Sequence, residues 1–280
     1  MYDLPTKRDR LINLLRDYGS CAVAFSGGLD SCVLARAAFE ALGHRAVAVT
    51  AVSASMAERE MDDARRVADQ IGIRHETIDT HELDNPNYRR NAADRCYHCK
   101  HEVMTRIREL ADRLDLNMIV DGQNADDTSD HRPGSRAADE LGVASPLAEC
   151  GLTKDELRTL ARQWDLPIWD KPASPCLSSR IVYGVEVTPV RLKMVDRAET
   201  MLREEGFTTF RVRYHGDDLA RIELPTDQLT RLADDAFRNR VVDALKELGF
   251  KYVTLDLEGF RSGSLNQLLA PEELEIGRER

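Results

Sequence analysis

The residues that could do chemistry fall in four places along the chain. The first is Ser26-Gly27-Gly28-Leu29-Asp30-Ser31, set between an apolar run at 21–25 and an alanine-rich stretch from Cys32. A glycine turn between a strand and a helix leaves backbone N–H groups at the helix N-terminus, where free donors and the helix dipole bind phosphate. Gly27 and Gly28 let a phosphate approach with no Cβ in the way. The spacing is neither G-x-G-x-x-G nor G-x-x-x-x-G-K-[ST], which excludes the dinucleotide fingerprint and the Walker loop. Asp30 and Ser31 stand in the first helical turn. A carboxylate beside phosphates calls for Mg²⁺ shared between Asp30 and phosphate oxygens; a plain N-cap is the competing reading.

The second place is Cys96-Tyr97-His98-Cys99, with His101 nearby. Zinc takes four ligands and the chain has no second C-x-x-C, so structural zinc, a redox or sulfur-relay pair and simple burial all stay open. Lys100 follows directly, either a point charge for a phosphate or a solvated helix lysine. The third is Cys176, in Lys171-Pro-Ala-Ser-Pro-Cys-Leu-Ser-Ser-Arg180. Cations close in sequence suit a nucleophilic thiolate, and a buried structural cysteine is the alternative. The fourth is Arg211 and Arg213, which alternate with Phe210, Val212 and Tyr214 and so share one strand face. With Arg221 and Glu223 on the next strand they form a salt-bridge ladder or grip phosphate or carboxylate. Arg261-Ser-Gly-Ser264 is a further candidate anion nest.

The elements that must position these groups read as an α/β chain. Residues 7–18 have one apolar helical face, 21–25 form a buried strand, and the helix after Asp30 ends at Gly43. Strands at 45–52 and 73–79 flank a helix at 56–71, which predicts a doubly wound parallel sheet. Residues 80–95 read as irregular, 98–114 as a helix and 117–121 as a strand running into the polar loop at 122–127, with Asn124 and Asp126 as ligand candidates. Residues 128–150 read as loop with a short helix, and Thr153-x-x-Glu156 is a capping box opening a helix at 153–165. The prolines and glycine of 166–184 predict a long ordered loop, so the domain organisation is 1–166, a join at 167–184, and a smaller α+β domain at 185–280. There, a short strand at 185–187, a helix to about 205, a hairpin of 209–214 and 219–224, a helix at 226–248 and a strand at 251–257 predict a split β-α-β sandwich.

Six cysteines in 280 residues are too few and too scattered for a disulfide framework. The formal net charge of −10 argues against a nucleic-acid surface. No stretch has the length of a signal peptide core or a membrane span, so the expected setting is cytoplasmic, with no membrane partner.

The Ser-Gly-Gly-Leu-Asp-Ser segment resembles the pyrophosphate loop of the enzymes that split ATP into AMP and pyrophosphate, among them NAD synthetase, GMP synthetase and the tRNA thiolases. Arg95-Cys-Tyr-His-Cys-Lys100, Asp121-Gly-Gln-Asn-Ala-Asp-Asp127, the Cys176 segment and Asp256-Leu-Glu-Gly-Phe-Arg-Ser-Gly-Ser264 are similar to the signatures of the ATP-dependent sacrificial sulfur transferases of the LarE type. That resemblance, which spans residues 26–264, implies biosynthesis of the nickel-pincer nucleotide. It implies adenylation of a carboxylate of pyridinium-3,5-biscarboxylic acid mononucleotide, thioester formation at a cysteine and release of that sulfur with the product. Carried onto this chain, ATP lies on Ser26, Gly27, Gly28, Asp30 and Ser31, with Asn124, Asp126 and Arg261 assisting and Mg²⁺ on Asp30. Lys100 is catalytic. Cys176 becomes the sacrificial thiol, Ser179 and Arg180 support its loop, and Arg211 and Arg213 hold substrate phosphate or carboxylate. Glu199 and Glu223 become candidates for a second cation or for the base that starts elimination. Cys96 and Cys99 keep a cluster or persulfide role open. The implied partners are a small nucleotide substrate, other enzymes of the same cofactor synthesis and further copies of the chain, with no nucleic acid. A tRNA-thiolating enzyme and a non-catalytic nucleotide-binding protein are the alternatives.

Overall fold

The computed structural model describes residues 2–129, 133–172 and 174–269. Its elements run α1 (Leu4–Tyr18), β1 (Cys21–Ala24), α2 (Leu29–Leu42), β2 (Ala46–Val52), α3 (Glu58–Ile71), β3 (Arg74–Asp79), α4 (Pro86–Arg89), α5 (Arg95–Arg113) and β4 (Met118–Val120). They continue with α6 (Pro133–Glu140), α7 (Pro146–Glu149), α8 (Lys154–Gln163), α9 (Pro189–Glu204), β5 (Arg211–His215), β6 (Leu219–Glu223), α10 (Asp235–Glu247) and β7 (Tyr252–Leu255). The chain divides into two units, residues 2–82 with 96–174 and residues 83–95 with 175–269. The division falls after residue 174, and the second unit also takes in 83–95.

The first unit is a four-stranded parallel sheet in the order β3-β2-β1-β4. β1, β2 and β4 are apolar because both of their faces are covered, whereas the edge strand β3 is polar and more open. Cys21 and Val23 of β1, with Ala46 and Ala48 of β2, pack into one cluster with α1, α2, α3 and α8. The alternate residues Ala22, Val47 and Val49 pack into a second cluster with Met104, Ile107 and Ala111 of α5. Period two thus sends successive residues of one strand to opposite cores. Gly72 stops α3 in the left-handed region, and Thr153 and Glu156 form the expected capping box of α8.

The sheet has its topological switch point between β1 and β4, because β1 leads on to β2 on one side while β4 is reached later on the other. In such sheets ligands bind beyond the carboxyl ends of the two strands at that point. The loops found there are Ser26–Gly28 and 121–127. They are packed backbone to backbone: a Cβ on Gly122 would lie 3.0 Å from the Ser31 nitrogen and 3.3 Å from the Asp30 Cβ.

The second unit carries a three-stranded sheet in the order β5-β6-β7, antiparallel between β5 and β6 and parallel between β6 and β7. The strand expected at 185–187 is absent. The carbonyls of Ile181, Val182 and Val185 accept from the Asn91 side-chain amide at 3.2, 2.8 and 2.9 Å, so this backbone turns around Asn91 and Gly184 takes a φ of 81°. Ile181 forms a parallel bridge to Tyr214, and the Val182 N–H donates to the Tyr214 carbonyl at 3.0 Å. The helix expected across 226–248 is interrupted. A 3₁₀ stretch ends at Ala233, and Asp234, in extended conformation, caps α10 by accepting from the Phe237 N–H at 2.7 Å. The region 128–150 holds two short helices, α6 and α7.

Gly122→Ala is expected to destabilise the protein by about 1–3 kcal/mol, the usual cost of overpacking. The check is the urea midpoint, and an unchanged midpoint would show that the two loops can part without cost.

Candidate active site

Phe25 leaves β1 with its N–H on the Val49 carbonyl at 2.9 Å, and its own carbonyl accepts from Thr50 Oγ1 at 2.7 Å. The Thr50 hydroxyl in turn meets His75 Nε2 at 2.8 Å. Burial holds the His75 imidazole below its ordinary pKa, which favours the neutral ring in this chain. The loop that follows is closed by Ser31: its hydroxyl accepts from the Ser26 N–H at 3.2 Å and donates to the Gly28 carbonyl at 3.1 Å. Gly27 has a φ of 71°, and a Cβ there would stand 3.0 Å from the Ala64 Cα, so position and conformation both require glycine. Gly28 is the N-cap of α2 without any side-chain cap, which leaves first-turn N–H groups for an anion.

Asp30 is ion-paired to Lys154, while its Oδ1 is buried with no hydrogen-bond partner. Lys154 was not singled out from the sequence, yet a signal was there. It opens α8 at the positive end of the helix dipole, where a cation is disfavoured unless something anionic holds it. Lys100 Nζ contacts Asp121 Oδ2 at 2.8 Å, and Asp121, only 3% exposed, also accepts from Ser145 Oγ at 2.8 Å. Lys100 is thus fastened to the second loop, not simply solvated. Asn124 and Asp126 brace that loop: Asn124 Oδ1 accepts from the Asp126 N–H at 2.9 Å, and Asp126 Oδ2 accepts from the Lys154 N–H at 2.8 Å. Lys171 is held between Glu60 at 2.7 Å and Asp63 at 2.9 Å.

The second unit presents Cys176 exposed to solvent. Its backbone is fixed. The Cys176 carbonyl accepts from the Ser179 N–H at 3.0 Å, from Ser179 Oγ at 2.7 Å and from Arg180 Nη1 at 3.0 Å, and Arg180 Nη1 also reaches the Pro175 carbonyl. The other edge of the buried Arg180 guanidinium makes a two-pronged pair with Glu199, 3.0 Å on each prong. By contrast, burial pushes the Cys21 and Cys32 thiols up to about 12, which removes them as nucleophiles near neutral pH.

Within the same unit a cavity of about 140 Å³ is lined by Arg95, Arg211, Arg213, Ser179, Ser262 and Phe260. Arg95, 4% exposed, donates to Asn91 Oδ1 at 2.6 Å and to the Ser178 carbonyl at 2.8 Å; it stands in the Arg95–Lys100 segment but was not singled out as a site residue. Arg213 is part of a ladder, bonded to Glu223 Oε2 at 3.0 Å, to Ser264 Oγ at 3.1 Å and to the Ser179 carbonyl at 3.0 Å. Arg211 lies over the Phe260 ring at 5.3 Å. Burial, followed by the nearby charge of Arg180, pushes the Arg211 guanidinium down to about 10, which means an anion entering the cavity would be welcomed by a poorly solvated cation.

The two glutamates expected to hold a cation or take a proton have other employment here. Glu199 is consumed by Arg180 and the Val212 N–H, and Glu223, fully buried, by Arg213, Arg221 and Ser264. Among the described residues no group of three or more His, Cys, Asp and Glu side chains could hold a metal ion. Arg261 turns to Glu258 at 2.6 Å and Asp256 at 3.5 Å, and its neighbours Ser262 and Gly263 line the cavity instead. Among the described residues no helix is long and apolar enough to cross a membrane.

Residues 10–113 match the NAD synthase family model. Over 95% of its length the chain is 46% identical to "Uncharacterized protein slr1717" of Synechocystis sp., covering 99% of that protein. Over 98% of its length it is 38% identical to the pyridinium-3,5-bisthiocarboxylic acid mononucleotide synthase of Lactiplantibacillus plantarum, covering 99% of that enzyme. Likeness to the tRNA-specific 2-thiouridylase MnmA of Rickettsia africae is 30% identity over 59% of this chain.

Glu199→Gln is expected to cost about 3–5 kcal/mol of stability, because it strands a buried guanidinium without its counter-charge. Chemical denaturation measures this, and a loss under about 1 kcal/mol would show that the pair is better solvated than its burial implies.

Proposed function

The chain belongs to the LarE-type family of pyrophosphate-loop enzymes, and on that premise we propose that it is an ATP-dependent sulfur transferase acting on pyridinium-3,5-biscarboxylic acid mononucleotide. The observation that carries the reading is Cys176: an exposed thiol on a backbone pinned by Ser179 and Arg180, in the unit that also holds a cavity walled by three arginines.

The steps follow from ordinary acyl chemistry. A carboxylate is a poor electrophile, and attack of its oxygen on the α-phosphorus of ATP gives a mixed anhydride and releases pyrophosphate. The loop at 26–31 holds the phosphates through backbone N–H groups, with Lys100 and Lys154 as nearby cations. Mg²⁺ fits the orphaned Oδ1 of Asp30, since this ion takes one or two carboxylates together with phosphate oxygens; there it would screen charge on the phosphates. The Cys176 thiolate attacks the activated acyl carbon and AMP leaves with its bonding electrons. Removal of the Cys176 Cα proton then breaks the Cβ–S bond. The thiocarboxylate leaves with the electron pair, and dehydroalanine stays in the chain. Arg95, Arg211 and Arg213 hold the anionic groups of the substrate in the cavity.

Cys176→Ala is expected to abolish thiocarboxylate formation while pyrophosphate release continues, and the intact mass of the wild-type protein should fall by the mass of H₂S after one turnover. Product from Cys176→Ala, or an unchanged mass after turnover, would overturn the sacrificial role. Asp30→Asn is expected to lower ATP cleavage by about 100-fold or more, read as pyrophosphate release; cleavage at the wild-type rate would remove Asp30 from the site.

A further inference from the structure

The pair Cys96 and Cys99 is left over from the reaction above. Both lie in the opening turns of α5, Cys96 exposed and Cys99 half-buried, and Lys100 comes immediately after. We propose that Cys96 and Cys99 form a reversible disulfide which displaces Lys100 from Asp121 and thereby weakens ATP binding. The proposal rests on the ATP site of the first unit and not on the sulfur-transfer chemistry.

Helix geometry makes the bond reachable but not free. Residues three apart on an α-helix have Cα atoms about 5 Å apart, inside the range of about 4.4–6.8 Å that disulfides span. Their Cβ atoms, however, stand about 5–6 Å apart, whereas a disulfide needs about 3.8 Å. Closure therefore pulls the two side chains together by more than 1 Å, and the strain falls on the first turn, the part of a helix with the fewest internal hydrogen bonds. A bond formed under strain is readily reduced again, as a reversible modification requires.

That turn cannot move alone. Lys100 reaches Asp121 at 2.8 Å, and Asp121 also anchors Ser145 Oγ at 2.8 Å and the Gln123 N–H at 3.2 Å. Asp121 leads directly into Gly122, whose backbone is pressed against Asp30 and Ser31 of the phosphate loop. On its other side, α6 lies in van der Waals range: a Cβ on Gly134 would stand 3.6 Å from Lys100 Cβ and 3.7 Å from the Cys96 carbonyl oxygen. A contraction between 96 and 99 is thus passed to Lys100, then to Asp121 and the phosphate loop. The remaining cysteines of this unit, Cys21, Cys32 and Cys150, are buried and out of reach of a soluble oxidant.

The oxidant is a low-molecular-weight disulfide. One thiolate of the pair attacks it and expels one thiol; the second thiolate displaces the other half. Two electrons pass from the cysteine pair to the reagent, which leaves as two thiols carrying the two protons.

The test uses full-length Cys176→Ser protein, so that the exposed thiol of the second unit does not react. Oxidised glutathione is the probe. The expected result is a loss of two hydrogens in intact mass, a Cys96–Cys99 link by peptide mapping, and ATP affinity lowered at least about fivefold by calorimetry and restored by dithiothreitol. With Cys99→Ser added, the expected product is a glutathione adduct at Cys96 and no link. Adducts on both cysteines without a link, or a link that leaves ATP affinity unchanged, would overturn the proposal. If affinity falls as expected but no thiocarboxylate is ever made by wild-type protein, the functional reading fails and this one stands.

Discussion

One buried guanidinium sets the terms for the second unit. Arg180 offers two parallel N–H groups to Glu199 on α9 and turns its remaining nitrogen to the carbonyls of Pro175 and Cys176. A planar fork can satisfy a carboxylate and a loop backbone together, where the compact ammonium of lysine could not. Glu199 also accepts the Val212 N–H, so helix α9, strand β5 and the cysteine loop meet on one ion pair. Stability alone is a weak reason to bury such a pair. Here it holds a thiol in solvent on a backbone that does not wander, in a segment otherwise made of proline, serine and short 3₁₀ turn.

The sheet of the second unit shows the same economy with charge. Register places Arg213 directly opposite Arg221, a repulsive pairing for neighbouring strands. Glu223 lies between them, bonded to both, and Asp256 takes the second prong of Arg221. With its own charge balanced in this way, the sheet can turn Arg211 and Arg213 toward a cavity that also receives Arg95. In the first unit the positive groups are treated differently: Lys100, Lys154 and Lys171 each rest on carboxylates beside the switch point or on α3.

Much of this was legible in the chain because it is local. Val23, Gly27, Gly28 and Asp30 announce a strand, a turn and a helix start within ten residues, and the alternation of Arg211 and Arg213 gives a strand face directly. Thr153 and Glu156 fix a helix start by their spacing. What could not be read is set by partners far away. Glu199 looks like an available carboxylate until Arg180 is placed against it, whereas the period-two spacing already offered Glu223 as a rung of the arginine ladder. Asn91 carries no motif, yet it is fully buried and its amide bends the backbone that read as a strand at 185–187. Asp234 breaks the helical pattern of 226–248 because its carboxylate prefers capping Phe237 to continuing a turn. Cys176 was exposed as a site by its neighbours in sequence, but the three bonds on its carbonyl needed coordinates.

The discontinuity of the second unit governs how the protein is made. The segment 83–95 leaves the ribosome early, carrying Tyr88, Asn91 and Arg95, and its hydrogen-bond partners at 178–185 are translated about 90 residues later. At roughly 5–20 residues per second, that is a wait of about 5–18 s during which three polar side chains destined for burial remain in water. The parallel sheet can assemble in that interval, since β4 is complete well before residue 178. The thiol-bearing loop is therefore ordered by partners on both sides of it in the chain, Tyr88 and Arg95 made before it and Glu199 and Arg213 made after it.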